Sequence, residues 1–234
     1  MIEERVTPGT SSPEMMQEHL DRYYFALDYV KGKTVLDIAC GTGYGSHILS
    51  TKALNVIGAD ISPEAVNYAL SNYQAENLYF SQCDALDLPF LDNSFDVVIS
   101  FETIEHIKNY PKFISECRRI LKPHGIFICS TPNSLLSSPS GIIENPYHVI
   151  EFTSVEFTNA LLKEFSIVEL NGQHDIDMFR LWAIKKIVKI KEMLGIKQRI
   201  RRLNVPSYPV SFFKNGLTKS FYMVAVCEGN GSIK

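Results

Sequence analysis

Residues 33–50, KTVLDIACGTGYGSHILS, constrain the fold more than any other stretch. An apolar run reaches Asp37, three glycines follow at 41, 43 and 45, and a helical pattern begins at once: strand, tight turn, helix. Glycine tolerates positive φ and carries no Cβ, so the backbone can turn sharply and present its N–H groups to a ligand at a helix start. Val35, Leu36, Asp37 and Ile38 read as a buried parallel strand. The turn then lies at a strand's C-terminal end, where an open α/β sheet binds nucleotides. Ala39, Cys40, Gly41, Gly43 and Tyr44 are its candidate ligand-binding residues.

The ligand is narrowed by what surrounds the turn. A dinucleotide fingerprint, G-x-G-x-x-G/A, requires Gly or Ala where this chain has Ser46, which argues against a pyrophosphate. A carboxylate at Asp37 repels a diphosphate and suits a ligand with a charged amino group. Residues 55–60, NVIGAD, form a second strand ending in an acid nineteen residues after Gly41. Adjacent parallel strands end side by side, so Asp60 can accept hydrogen bonds from both ribose hydroxyls. The other role open to Asp60, capping the next helix, is better filled by Ser62 before Pro63 and Glu64.

Two further strand ends repeat the pattern, CDALDLPF at 83–90 and FDVVISFETIEHI at 95–107. Together these four segments resemble the class I S-adenosylmethionine-dependent methyltransferases over roughly residues 20–170. The resemblance implies a Rossmann-like, doubly wound α/β sheet of seven strands, mostly parallel with an antiparallel last strand and helices on both faces. Its cofactor is S-adenosyl-L-methionine, released as S-adenosyl-L-homocysteine. It implies that Asp84 bonds the adenine amino group with Ala85 near the ring. It further implies Ile61 and Phe101 as cofactor-binding candidates, with Arg22 and Tyr23 facing the cofactor from a covering helix. That helix, over 14–31, equally suits a capping role with solvated charges, and Asp84 and Asp87 equally suit a turn before Pro89.

Length and composition fit one globular domain over 1–234: a covering helix at 14–31, a core at 33–174, a basic helical insertion at 175–214 and a last strand at 219–228. A net charge of −3 gives no global pull toward nucleic acid. No apolar run approaches the ~20 residues of a membrane span and the first residues lack a signal pattern, so the cytoplasm is the expected location. Five cysteines, odd in number and without a C-x-x-C pair, read as small buried thiols, with Cys40 beside the ligand. No His, Asp or Glu group has metal-ligand spacing along the chain, and no metal is expected.

Methyl transfer to a hydroxyl needs alignment and a base, and histidine titrates in the right range. His106 and His148 are the candidates, since both lie on segments leaving the C-terminal edge of the sheet, with Glu105, Glu102 or Glu151 to orient them. The Ser/Pro/Gly/Asn-rich stretch 131–152 is long enough to be a substrate-facing lid. SFETIEH stands where adenine-amino methyltransferases carry Asn-Pro-Pro-aromatic, which disfavours nucleic acid. EH after strand four, NPYHVIEF and a late basic helix resemble methyltransferases of surface-polysaccharide pathways, implying O-methylation of a sugar or lipid-linked saccharide. Another small acceptor, quinone-like or natural-product-like, and a non-catalytic binding module stay open; a nicotinamide oxidoreductase is disfavoured by Ser46. Residues 180–202 hold nine Lys/Arg against one acid. This stretch suits peripheral contact with an anionic membrane surface, and equally a helical cover with a solvated charged face.

Overall fold

A computed structural model of the protein describes residues 5–175, Lys186 and residues 220–229. Helix α1 (Pro13–Val30) starts on Ser12, whose hydroxyl accepts from Met15 N, with proline at its first position. Its buried face is Arg22, Tyr23, Ala26 and Val30, one stripe at helical spacing. Then come β1 (Thr34–Ile38), α2 (Tyr44–Ser50), β2 (Asn55–Asp60), α3 (Pro63–Asn72), β3 (Leu78–Gln82), β4 (Phe95–Ser100), α4 (Tyr110–Ile120), β5 (Leu121–Pro132), the short α5 (Ser134–Ser137), α6 (Ser154–Leu161), β6 (Phe165–Asp175) and β7 (Ser220–Gly229).

The seven strands form one sheet in the order β3-β2-β1-β4-β5-β7-β6. The first five are parallel neighbours, and β7 runs antiparallel between β5 and β6. This is the expected seven-stranded doubly wound sheet. Strand β6 continues through a register shift between Ile167 and Glu169 and pairs with β7 as far as Asp175.

Alternation along β1 divides the core. Leu36 and Ile38 pack with Phe113, Phe127, Phe157 and Phe165 on one face of the sheet. Val35 packs with Tyr23, Ala26, Val30 and Leu49 on the other. Strand order reverses between β1 and β4, whose C-terminal ends open the crevice where such sheets bind ligands. No helix among the described residues is long and apolar enough to cross a membrane. Most of the basic 175–214 segment, including nearly all of 180–202, lies outside the described residues.

Candidate functional site

A cavity of about 1730 Å³ opens at the reversal point. Of the residues singled out from the sequence, Tyr23, Ala39, Cys40, Gly41, Tyr44, Asp60, Ile61, Asp84, Ala85, Phe101, Glu105, His106 and His148 line it. Arg22, Asp37 and Gly43 are not among its lining residues.

Each of those three has a physical reason. Asp37 shares the Val35 face of β1 and is fully buried against α1 and α2, where it accepts hydrogen bonds from Ser46 Oγ (2.6 Å) and Tyr23 Oη (3.3 Å). Burial pushes its carboxyl up to about 7, although both hydroxyls oppose the shift. Ser46 thus serves Asp37 in addition to breaking the dinucleotide pattern. Gly43 has φ +86, and a Cβ there would meet Ala69 Cβ at 2.6 Å and the Phe80 ring at 2.8 Å, so it packs α2 on α3 and β3. Arg22 is fully buried, donates to Gln173 Oε1 at 2.7 Å and lies 4.8 Å over the ring of Tyr222. Tyr222 itself lines the cavity.

At the cofactor end, Asp60 Oδ2 accepts from Gly41 N at 2.8 Å and Oδ1 accepts from Ser62 N at 2.9 Å. Asp60 therefore locks the β2 exit to the glycine turn, while Ser62 caps α3. Arg5 approaches Asp60 Oδ1 at 3.6 Å and, with Val6, lines the same cavity. Nothing in the composition of the first dozen residues signals this placement. Asp84 accepts from Leu86 N at 2.8 Å, so the turn role and the lining position belong to one side chain. Tyr23 stands edge-on to Tyr44 and Phe101, and Tyr44 Oη is 3.0 Å from His19 Nδ1.

The opposite end is built where β4 exits onto the lid. Glu102 sits at φ +50, held by Ser130, whose Oγ donates to Glu102 Oε1 at 2.7 Å. A short 3₁₀ turn, Ile104–His106, follows. The lid docks on it through Val149 N and Ile150 N, which both donate to Glu105 O, and through His106 Nδ1, which donates to Tyr147 O at 3.0 Å. His106 and His148 come together with ring centroids 5.1 Å apart. His148 Nδ1 donates to Glu151 Oε1 at 2.7 Å, and Asn145 Nδ2 donates to His148 Nε2 at 2.9 Å. Burial opposes ionisation of Glu151, yet its bonds from His148, Ser137 and Ser138 hold its carboxyl below the usual range. Glu105 is 1% exposed; burial and the Glu102 carboxylate push its carboxyl well up. Its Oε2 accepts from Thr131 Oγ1 at 3.0 Å and its Oε1 has no hydrogen-bond partner.

A sheet of order 3-2-1-4-5-7-6, with an acid at the end of β2 and a glycine turn facing a deep cavity, defines a nucleoside-binding α/β domain of the methyltransferase kind. Residues 36–129 match the methyltransferase domain family, and the chain carries a class I S-adenosylmethionine-dependent methyltransferase domain. A protein of Mycolicibacterium smegmatis described as a probable S-adenosylmethionine-dependent methyltransferase is 34% identical over 160 residues, covering 68% of this chain and 62% of its own. A ubiquinone biosynthesis O-methyltransferase of Cereibacter sphaeroides is 32% identical over 122 residues, 51% of this chain and 49% of its own. The chain thus spans between about half and three-fifths of the length of these relatives. Among solved structures, an S-adenosylmethionine-dependent methyltransferase from Mesorhizobium loti superposes with a TM-score of 0.60 at 16% identity, over 88% of this chain and 97% of its own, a likeness of fold.

The family's cofactor is S-adenosylmethionine, and the cavity's residues fit it. The glycine turn at Gly41 leaves the backbone bare, Asp60 offers carboxylate oxygens at the β2 end, and Asp84 and Ala85 lie at the β3 end.

Proposed function

We propose that the protein methylates an oxygen acceptor bound between the β4 exit and the lid, using S-adenosylmethionine held along the β1, β2 and β3 ends. One observation carries this reading: Gly41, Asp60 and Asp84 share a single cavity with Glu105, His106 and His148. The bound cofactor supplies a methyl group on a sulfonium, an already activated leaving group. The chain's own work is then to align the acceptor and remove its proton. Asp60 and Asp84 take the ribose and adenine, Tyr23, Tyr44 and Phe101 close the aromatic wall, and the acceptor's proton is lost at the Glu105–His106–His148 cluster. With its Nδ1–H held by Glu151, His148 has Nε2 as its basic nitrogen, and it is the base once the acceptor hydroxyl displaces the Asn145 amide from Nε2.

The acceptor is a hydroxyl on a sugar or lipid-linked saccharide, the class the sequence resembles. A lipid-borne acceptor is supported by the lid's exposed Ile142, Ile143 and Val149 beside the cavity residues Tyr147 and His148, and by relatives named for fatty-acid and ubiquinone O-methylation. Those relatives favour a quinone-like phenol as the second reading. Contact of 180–202 with an anionic membrane surface belongs to the same proposal, and nucleic acid does not.

Calorimetry against S-adenosylhomocysteine and NAD tests the cofactor, with binding of the thioether alone expected. Radiolabelled methyl transfer into lipid-linked glycan and quinol fractions tests the acceptor. His148→Ala is expected to lower turnover by ~10²–10⁴-fold with thioether binding retained. Unchanged turnover would remove His148 from the reaction.

A further inference from the structure

No run of the chain has the spacing of a metal site, yet among the described residues the fold assembles one set of metal-ligand groups from two segments. Glu105, His106 and His148 bring one carboxylate oxygen and two imidazole nitrogens within 4.8 Å of one another. We propose that these three side chains bind a divalent first-row cation, which leaves a coordination position open toward the acceptor hydroxyl. The inference deepens the methyl-transfer reading and rests on it: the same residues and reaction are kept, and the ion becomes what acidifies the hydroxyl.

Three features separate this cluster from an ordinary polar contact. Glu105 is 1% exposed and its Oε1 has no hydrogen-bond partner, so a buried carboxyl oxygen is left unpartnered on a side chain that reaches both rings. Ionising a carboxyl group buried in this way is costly without a partner, and a bound cation would supply that partner. Both imidazoles have their δ nitrogens committed, His106 to Tyr147 O at 3.0 Å and His148 to Glu151 at 2.7 Å. A carbonyl and a carboxylate accept only, so each ring carries a proton on Nδ1, and in the neutral ring Nε2 is the nitrogen able to take the ligand role. That second layer, a carbonyl or carboxylate behind each ring, is the arrangement found behind metal-bound histidines. Thr131 Oγ1 likewise orients Glu105 through Oε2 at 3.0 Å.

Two histidines and one carboxylate with an open position is the donor set of catalytic zinc and of other divalent first-row ions. Donor-to-metal bonds of ~2.1 Å imply tetrahedral donor separations of roughly 3.4 Å, so the widest pair closes by at most about 1.4 Å on binding. Binding also displaces the Asn145 amide, now 2.9 Å from His148 Nε2. A hydroxyl taken up at the open position becomes more acidic and loses its proton to water at the cavity mouth.

Purified full-length protein, stripped with chelator, is titrated with Zn²⁺ by calorimetry and with Co²⁺ by visible absorption, with S-adenosylhomocysteine binding measured on the same samples. One equivalent of Zn²⁺ and a Co²⁺ ligand-field spectrum are expected. Glu105→Gln, nearly isosteric, and His106→Asn each weaken Zn²⁺ by at least tenfold. Glu151→Gln, which touches no metal, weakens it 10–100-fold through His148. All three variants keep thioether binding, which certifies their folding. No stoichiometric Zn²⁺ binding, or binding unchanged in Glu105→Gln and His106→Asn, overturns the cation while leaving methyl transfer with His148 as its base. Metal binding without any thioether binding overturns the methyl-transfer reading instead, and with it the role given to the ion.

Discussion

Asp37 shows how a single residue can be right in type and different in duty. Its place before the glycine turn marks it as a cofactor partner, but the pleat of β1 turns it toward Tyr23 and Ser46, inside the packing of α1 and α2. Its carboxyl is raised from 3.8 to about 7 by burial. A raised folded-state pKa contributes stability that is fully present below the unfolded value and is lost as pH rises through the folded one. Stability measured by urea unfolding should therefore fall between pH 4 and 7 by up to ~1.4 kcal/mol per unit on this residue's account. Asp37→Asn should flatten that slope relative to the unsubstituted protein, and parallel pH profiles for the two would show that the carboxyl is not raised. Asp37 could not have been placed from the sequence, because strand alternation gives two faces without saying which helices cover each. Asp60 was easier, since it ends β2 beside the glycine turn, at the edge where the crevice of an open sheet lies.

At the scale of elements, the lid is what makes the β4 exit into a site. Val149 N and Ile150 N converge on Glu105 O, Asn133 Nδ2 donates to Ser220 O, and Asn133 bridges to Phe152, so the loop is pinned at both ends. The length and Ser/Pro/Gly content of 131–152 announce a functional loop, and His148 and Glu151 are visible in it. Their meeting with Glu105 and His106 was not legible, since it depends on backbone bonds that no local pattern encodes. Val149 is half exposed, at 54%, so replacing it with proline removes one N–H and little packing. Val149→Pro should shift Tm by no more than about 4 °C, the scale of one hydrogen bond. It should still lower turnover by roughly a hundredfold, because misplacement of His148 by an ångström is enough for that. Faster proteolysis within 138–149 would report the undocked lid; wild-type turnover would show that these bonds do not position His148.

Across the whole molecule, the cofactor half and the acceptor half hang on opposite sides of one reversal in strand order, and β7 closes the sheet beyond the second half. The parallel strands were readable because a sheet covered on both faces requires near-continuous apolar runs, as in 95–100 and 126–130. The partnership of β7 joins residues about a hundred apart with β5 and about fifty apart with β6, and the resemblance supplied it where periodicity did not. Met223, Val224, Ala225, Val226 and Cys227 are all fully buried, and they feed both core clusters. Without β7, Ile126 to Pro132 on β5 becomes a bare, apolar strand edge, and Phe165 to Asp175 on β6 loses the strand it pairs with. A chain cut after residue 175 should consequently give no cooperative thermal transition and should self-associate, read by calorimetry and light scattering. The glycine turn alone could still form locally, so the decisive measurement is S-adenosylhomocysteine binding to that fragment. If β7 is needed to hold β5, and β5 to hold Ser130 behind Glu102, the fragment binds nothing; retained binding would mean that β1 to β4 stand without the second half of the sheet.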